Sequence, residues 1–414
     1  MNKMSNTNDN NNKNYENEPS EPPNINVGIW NFLIKNPLEL VSGWLVDNNS
    51  LFSFEVLGSK TYVAKNSDEH VSVFQTKHKD DNSIKVFERA SPGSVFNQQE
   101  NTWEERRFKH PYVVLGNEWI NLQKSIIDNI TNNRFSKLKN CDLYNTVHRL
   151  LFEITYITTF GNMDWDAYDY FNYQTPSVNR QLTYGTSPMS LWYFYGRDRW
   201  FDCIKKSARN ATDGSLVSEM IKKNVLVDDN FYGELSGLFW GGMFSLTNLI
   251  TTSIYYVSKN NIELERLLEN PDVNSVKIIK ESLRICSGAP LLVRTLNADL
   301  KLDNCELKKD SDVMVCPFAL HRDPAYWNDA SKFDSFRHTS DDNYCSDGFM
   351  PFGVPVENGG RACVAREFAL TLAKNVIVTL FSNYNVSINS NDDYCVEPYC
   401  GAVRPTKSYP MKIE

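Results

Sequence analysis

Residues 231–260, FYGELSGLFWGGMFSLTNLITTSIYYVSKN, are the longest uninterrupted apolar run in the chain, with Glu234 and Lys259 as its charged positions. A run of this length predicts a long central helix around which the other elements pack. The composition can supply such a core, because 41% of the 414 residues are hydrophobic and 13% aromatic. That excludes a small disulfide-stapled module and a disordered chain. In the middle of the run stands a glycine pair, Gly241-Gly242. Glycine inside a helix costs roughly 1 kcal/mol against alanine at each position, so the pair predicts either a kink or the close approach of a flat ligand.

The rest of the chain predicts a mainly α-helical fold with a small β-rich lobe. Residues 1–25 are rich in asparagine and read as a disordered tail. Residues 26–414 read as a single domain, since no internal repeat or linker divides them. LFSFEVLGSKTYVA (51–64) alternates Phe52, Phe54 and Val56 with polar neighbours, breaks at Gly58-Ser59 and resumes, which is a hairpin pattern. From about residue 117 apolar residues recur at three and four, as in DLYNTVHRLLFEITYITTF, and the pattern becomes helical. Residues 163–202 crowd aromatic side chains from Trp165 to Trp200, which predicts aromatic helix packing or a lid over an apolar pocket. Beyond 285, short strand-like pieces alternate with loops until a helical period returns at 366–384.

Charge and motif content narrow the function. Lysine and arginine number 43 against 51 acidic residues, for a net charge of −8, so no overall cationic field draws the chain to phosphate backbones and no nucleic-acid partner is expected. The nine cysteines are scattered from Cys141 to Cys400 without a CxxC pair, which fits reduced thiols in a cytoplasm better than a disulfide framework or a zinc cluster. The first apolar segment, 27–46, is broken by Lys35, Pro37 and Glu39, short of the about 20 apolar residues of a membrane span. With no signal-peptide core at the amino terminus either, a cytoplasmic protein with no membrane anchor is expected. The six histidines show no HExxH spacing, and neither GxSxG nor GxxxxGK[ST] occurs, so zinc protease, hydrolase and P-loop chemistries are excluded.

What remains is MPFGVPVENGGRACVAREFALTLAK (350–374), where a glycine-rich loop delivers Cys363 just before an amphipathic helix. A sulfur there meets the positive end of the helix dipole and free backbone N–H groups, which favours thiolate, the form that binds metal. A buried structural cysteine is the other reading of the same position.

Three further segments, in order, complete a resemblance to the cytochrome P450 superfamily of thiolate-ligated haem enzymes across nearly all of residues 26–414. Glu281-Ser282-Leu283-Arg284 resembles its ExxR motif, whose two charges share a helix face at spacing three. ALHRDPAYWNDASKFDSFRH (319–338) resembles the segment whose arginine joins that pair, which implies a structural triad of Glu281, Arg284 and Arg337. In the loop 351–365 and the helix after it, Gly359, Arg361, Phe368 and Ala369 keep the family spacing to Cys363. Three departures stand out. Pro351-Phe352-Gly353 lies four residues further from the cysteine than usual, so the loop carries an insertion, and Ala365 replaces a glycine. Where the family's central helix usually carries an acid and then threonine, this chain reads Gly241-Gly242-Met243-Phe244-Ser245. Phe244 cannot relay protons, although Ser245 could hold a water that does.

The resemblance implies the cytochrome P450 fold and haem b with Cys363 as its axial ligand, the helix around Gly241, Gly242 and Ser245 lining the other face. Buried propionates need cationic partners, for which Arg361 and Arg294 stand at the family positions. Trp103 and Arg107 resemble the family's WxxxR helix, although a solvent-facing charge run, EERRFK, explains the same residues. The implied activity is monooxygenation of an apolar small molecule such as a natural-product intermediate, a fatty acyl chain or a terpenoid or steroid-like compound, in secondary metabolism. Thiolate donation favours O–O cleavage, and electrons come from a separate ferredoxin or flavodoxin, for which Arg361, Arg366 and Lys374 could form a docking patch. A monomer is expected. ESLRICSGAPLLVRTLNADLKL resembles the branch that includes the sterol 7α-hydroxylases and prostacyclin synthase, some of whose members only rearrange an oxygenated lipid. Reductant-independent rearrangement or dehydration therefore stays open, as does haem binding without turnover.

Overall fold

The computed structural model describes residues 22, 24–26, 36–47, 51–56, 59–76, 78–79, 89–92, 94, 100–184, 189–302, 305–339, 341, 343–390 and 392–414. Most of the segment read as a tail lies outside these residues. Its end does not: Asn24–Asn26 is a strand parallel to Phe52–Val56, with Ile25 opposite Phe54.

The alternating hairpin is formed by Phe52–Val56 and Ser59–Val63, with Phe52 opposite Val63. Phe52 and Phe54 are buried, as their alternation requires. Ser59–Val63 runs parallel to Asp312–Val315, which pairs antiparallel with Leu292–Leu296. A parallel pair needs a long crossover. Here nearly the whole helical body supplies it, so the sheet closes around helices made between its strands.

The helical body is built on the central helix Phe231–Lys259, which runs without a break. Its polar side chains are tied to their surroundings. Ser236 Oγ donates to Ala90 O at 2.8 Å and accepts from Trp200 Nε1 at 2.9 Å, and Asn248 Nδ2 donates to Cys286 O at 3.1 Å. Alongside lies Leu143–Phe160, capped at its start by Asp142, whose side chain accepts from Asn145 N, and ended by Gly161 at φ 85°. That conformation favours glycine. The helix Pro271–Ile285 packs on the central helix through Ser253 Oγ, 2.8 Å from Ser282 Oγ.

The aromatic stretch forms two helices, Trp165–Tyr184 and Leu191–Arg209. They approach so closely that a methyl group on Gly196 would lie 2.8 Å from Tyr173 Cβ. Phe171, Tyr193 and Trp200 are buried, while Tyr173, Trp192, Phe194 and Tyr195 face outward. Core packing, not a lid, accounts for the buried set. Residues 185–188, between the helices, are outside the described residues.

Among the described residues four histidines are buried within this frame. His70 Nε2 accepts from Cys316 N at 3.0 Å and His321 Nε2 accepts from Met350 N at 3.1 Å, so both fasten strand ends and loops while neutral. Burial lowers His70 and His148 from 6.5 to about 4 and His110 and His321 to about 3. The unfolded chain therefore takes up protons below pH 6.5 that the folded chain refuses. Stability is full above that value and falls as pH drops toward these depressed values, by up to about 1.4 kcal/mol per pH unit for each histidine. Urea unfolding at about pH 7.5 and about pH 5.5 should show a lower midpoint at the acidic value; equal midpoints would contradict this account.

Candidate functional site

The helix Pro271–Ile285 places Glu281 and Arg284 one turn apart on its buried face. Arg284 grips Glu281 with both arms of its fork, Nε to Oε2 and Nη2 to Oε1, each at 2.8 Å. Arg337, from the short turn Ser335–Arg337, adds Nε at 3.1 Å from Oε1. Two more donors complete the set: the Asp334 N–H at 2.9 Å and the His338 ring at 2.8 Å. Arg284 Nη1 donates onward to the carbonyls of His321 and Ala330. Burial raises the Glu281 carboxyl, but the hydrogen bonds from Arg284 and His338 outweigh it and hold the group at about 2. This cluster is a knot between the helix and the loop that leads to Cys363.

Sequence reasoning missed His338 and the neighbouring Lys280. Lys280 is buried, and its Nζ donates to the Thr339 carbonyl at 3.1 Å and to the Asp341 carboxylate at 2.8 Å. No local spacing signals either contact, because the partners lie more than fifty residues away.

Beyond the knot the chain enters the glycine-rich loop. Cys363 N donates to Phe352 O at 2.9 Å, so Phe352 stays against the cysteine despite the intervening residues. The insertion is taken up as an excursion: Val356–Asn358 makes a single 3-10 turn, Gly359 reverses at φ 79°, and Gly360 N donates to Pro355 O at 2.9 Å. The helix after it is Arg366–Asn383, with Ala365 at its cap, so the cysteine stands two residues ahead of the cap. Cys363 is exposed, although enough of the protein surrounds it for desolvation to act on its thiol. The sequence predicts an eased thiolate there. Depth outweighs it: burial pushes the thiol up, against the opposing pull of the Ala365 N–H, Arg107 and Arg366.

Arg107 ends the helix Glu100–Phe108 and donates through Nη1 to the carbonyl of Ala362, next to the cysteine. Trp103 is on the same helix; its side chain is outside the described residues. The charge run faces solvent through Glu104, Glu105, Phe108 and Lys109, but not through its two arginines. Arg106 is buried and bonds Asp228 at 2.8 Å and Glu234 of the central helix at 3.2 Å. Arg294, on the strand Leu292–Leu296, stands over the Phe74 ring at 5.7 Å. That ring and the loop meet at Gly353. Arg361 is in the loop itself and close enough to lower the Arg107 guanidinium. The expected docking patch is not one of unpaired charge, since Arg366 Nε lies 2.8 Å from Glu367 and Lys374 Nζ 2.7 Å from Asp272.

On the central helix, every residue from Gly233 to Tyr255 is buried except Gly241, Gly242 and Ser245. These fall at i, i+1 and i+4, on one face. The helix is not kinked there, and a methyl group on Gly242 would meet nothing closer than Leu246 Cδ1 at 3.8 Å. Protein packing therefore does not demand the glycine; it keeps a face clear. Ser245 Oγ donates to the carbonyls of Gly242 and Gly241 at 3.1 and 3.3 Å. Phe244 turns away from this face and is buried. Gly242→Ala is expected to raise the stability of the cofactor-free chain by about 1 kcal/mol while weakening ligand occupancy of the face. Thermal unfolding and a ligand titration would check both halves.

The family model for cytochrome P450 matches residues 275–413. Among curated proteins the chain is 30% identical over 113 residues to cytochrome P450 4V2 of Rattus norvegicus, covering 27% of this chain and 21% of that protein. It is 26% identical over 227 residues to the probable cytochrome P450 525A1 of Dictyostelium discoideum, covering 44% and 37%. The chain spans between 21% and 37% of the length of the curated relatives it matches. Among solved structures, CYP175A1 from Thermus thermophillus aligns over 95% of this chain and 100% of its own, with a TM-score of 0.77 at 15% identity. The cytochrome P450DA heme domain aligns over 96% and 98%, with a TM-score of 0.80 at 16% identity.

The group this family implies is a haem held by cysteine thiolate, and the donor set fits it. An exposed cysteine stands in the loop, guanidinium groups from three separate segments lie about that loop, and Gly241, Gly242 and Ser245 leave one face of the central helix uncovered. Sulfur suits iron and the cations suit two carboxylates. Residues 275–413 match the cytochrome P450 family model, and the described chain carries the fold of these two cytochrome P450 structures.

Proposed function

We propose that this chain is a haem-thiolate monooxygenase that oxidises an apolar small molecule, with Cys363 as the axial ligand. The observation that carries the reading is the exposed Cys363 sulfur in a loop otherwise pinned into the fold. When bound, haem supplies dioxygen activation and transfer of one oxygen atom to substrate, the other leaving as water with two protons and two electrons from outside.

The chain's own residues supply the setting. Arg107, Arg361 and Arg294 would hold the carboxylates of the bound haem. The Phe352 carbonyl and the Ala365 N–H orient the backbone and sulfur of Cys363. Gly241 and Gly242 admit a flat substrate edge, and Ser245 can turn its hydroxyl from the helix carbonyls to a water. The substrate is apolar and fairly large, a lipid, terpenoid or natural-product intermediate. Electrons come from a separate ferredoxin or flavodoxin that docks by short-range contacts as much as by charge, given the paired Arg366 and Lys374. Among the described residues no helix is long and apolar enough to cross a membrane. The unpaired cysteines accord with a cytoplasmic location.

A second reading, reductant-independent rearrangement of an oxygenated lipid, is favoured by the apolar Phe244 where an acid is usual. The experiment is turnover of an apolar library by the haem-loaded protein. Products one oxygen heavier, formed only with NAD(P)H and surrogate redox partners, support the monooxygenase. Isomerised or dehydrated lipid hydroperoxide without reductant supports the second reading, and haem binding with neither product overturns both.

A further inference from the structure

We propose that Phe244 is a bulkhead between two compartments, a polar cleft on one flank of the central helix and the open Gly241–Ser245 face on the other. The inference rests on the reading of that face as the haem side.

The cleft has a volume of about 320 Å³ and lies between the helices Leu143–Phe160 and Trp165–Tyr184 and the hairpin Val396–Tyr399 with Ala402–Pro405. Its walls include His148, Tyr144, Glu397, Arg404 and, on the side of the central helix, Phe244. Among the described residues, His148 Nε2 and the Tyr144 hydroxyl are buried without a hydrogen-bond partner. His148 as a whole is 6% exposed, and its other ring nitrogen lies 3.2 Å from the Tyr168 hydroxyl. The polar lining of the cleft draws in water, and a space of this size holds roughly ten molecules.

Phe244 closes this cleft toward the helix. It is 2% exposed, and its ring stands 5.7 Å from that of His148, 5.4 Å from Tyr399 and 6.0 Å from Phe171, centroid to centroid. Ser245, the next residue, is turned about 100° round the helix and opens on the other compartment. A single aromatic ring therefore separates a water-bearing cleft from the face where oxygen chemistry would occur. An acid or a small side chain at 244 would join the two. The phenyl ring instead closes this flank to solvent, so the protons the reaction consumes must enter by another route.

The test uses a Ser245→Cys reporter in the haem-loaded protein, with a bulky imidazole inhibitor bound on the open face. The protein is labelled with methyl methanethiosulfonate and read by peptide mass spectrometry. With Phe244 present, the introduced thiol is expected to react at least about tenfold more slowly than in a Phe244→Ala background. Benzene, which fills a phenyl-sized apolar hole, should restore the slow rate. Cys286 and Cys316, 1% and 0% exposed, report general loosening and should not change. Equal labelling in both backgrounds overturns the bulkhead, and so does a parallel rise at Cys286 and Cys316. Haem uptake is read first from the Soret absorbance; a protein that takes up none overturns the functional reading and this inference with it.

Discussion

Glu281→Ala is expected to cost roughly 3–5 kcal/mol of stability, because removing one member of a buried ion cluster leaves the others charged and unpaired. Glu281 accepts from Arg284, Arg337, His338 and the Asp334 N–H, and both Glu281 and Arg284 are wholly buried. Against a total stability of about 5–15 kcal/mol for an ordinary domain, that loss unfolds a large fraction of molecules on modest warming. Glu281→Gln keeps an acceptor and most of the shape, and should lose less. The charge dependence has a sign. Glu281 is held at about 2, below its ordinary 4.5, so its contribution is complete above pH 4.5 and fades as pH falls toward 2. The acid loss from the buried histidines therefore comes first. Urea unfolding of both variants at neutral pH is the measurement, and a shift under about 1 kcal/mol for Glu281→Ala would show that the cluster does not hold the fold.

Gly360→Ala acts on the ligand loop instead. A methyl group there would stand 2.2 Å from the Val354 carbonyl oxygen and 2.6 Å from Val354 Cβ, and since the first contact is backbone, the loop must move. Overpacking of this kind costs typically about 1–3 kcal/mol. The strain falls on the excursion that returns the chain to Cys363. Haem affinity is expected to drop by at least about tenfold while helical content by circular dichroism stays near that of the parent. An unchanged haem titration would mean that the insertion is loose and does not position the cysteine. Gly360 is required by a backbone contact, whereas at Gly242 nothing in the protein stands in the way of a methyl group.

Local features were readable from the sequence and long-range ones were not. The central helix follows from the length of its apolar run and the hairpin at 51–64 from a period of two, which neighbours along the chain determine, whereas the ExxR pair is picked out by the family resemblance. Within EERRFK the pair Glu105 and Lys109 is local and exposed, but Arg106 finds Asp228 and Glu234 across 122 and 128 positions, and only folding brings them together. His338 and Lys280 were invisible for the same reason. Cys363 was found from its setting, but its protonation was not, because the helix-end dipole is a local property and depth in the molecule is a global one. The glycine pair left a kink and a flat ligand open, and the helix shows no kink there and leaves space beside Gly242.

The central claim is a coordinate bond between the Cys363 sulfur and iron, and the absorption spectrum of the reduced, carbon monoxide-bound protein tests it most directly. A long-wavelength Soret band that marks cysteinate ligation should appear in the parent protein and vanish in Cys363→Ser. A carbonyl band at the shorter wavelength of nitrogen-ligated haem in the parent, or a cysteinate band that survives the substitution, would contradict the assignment.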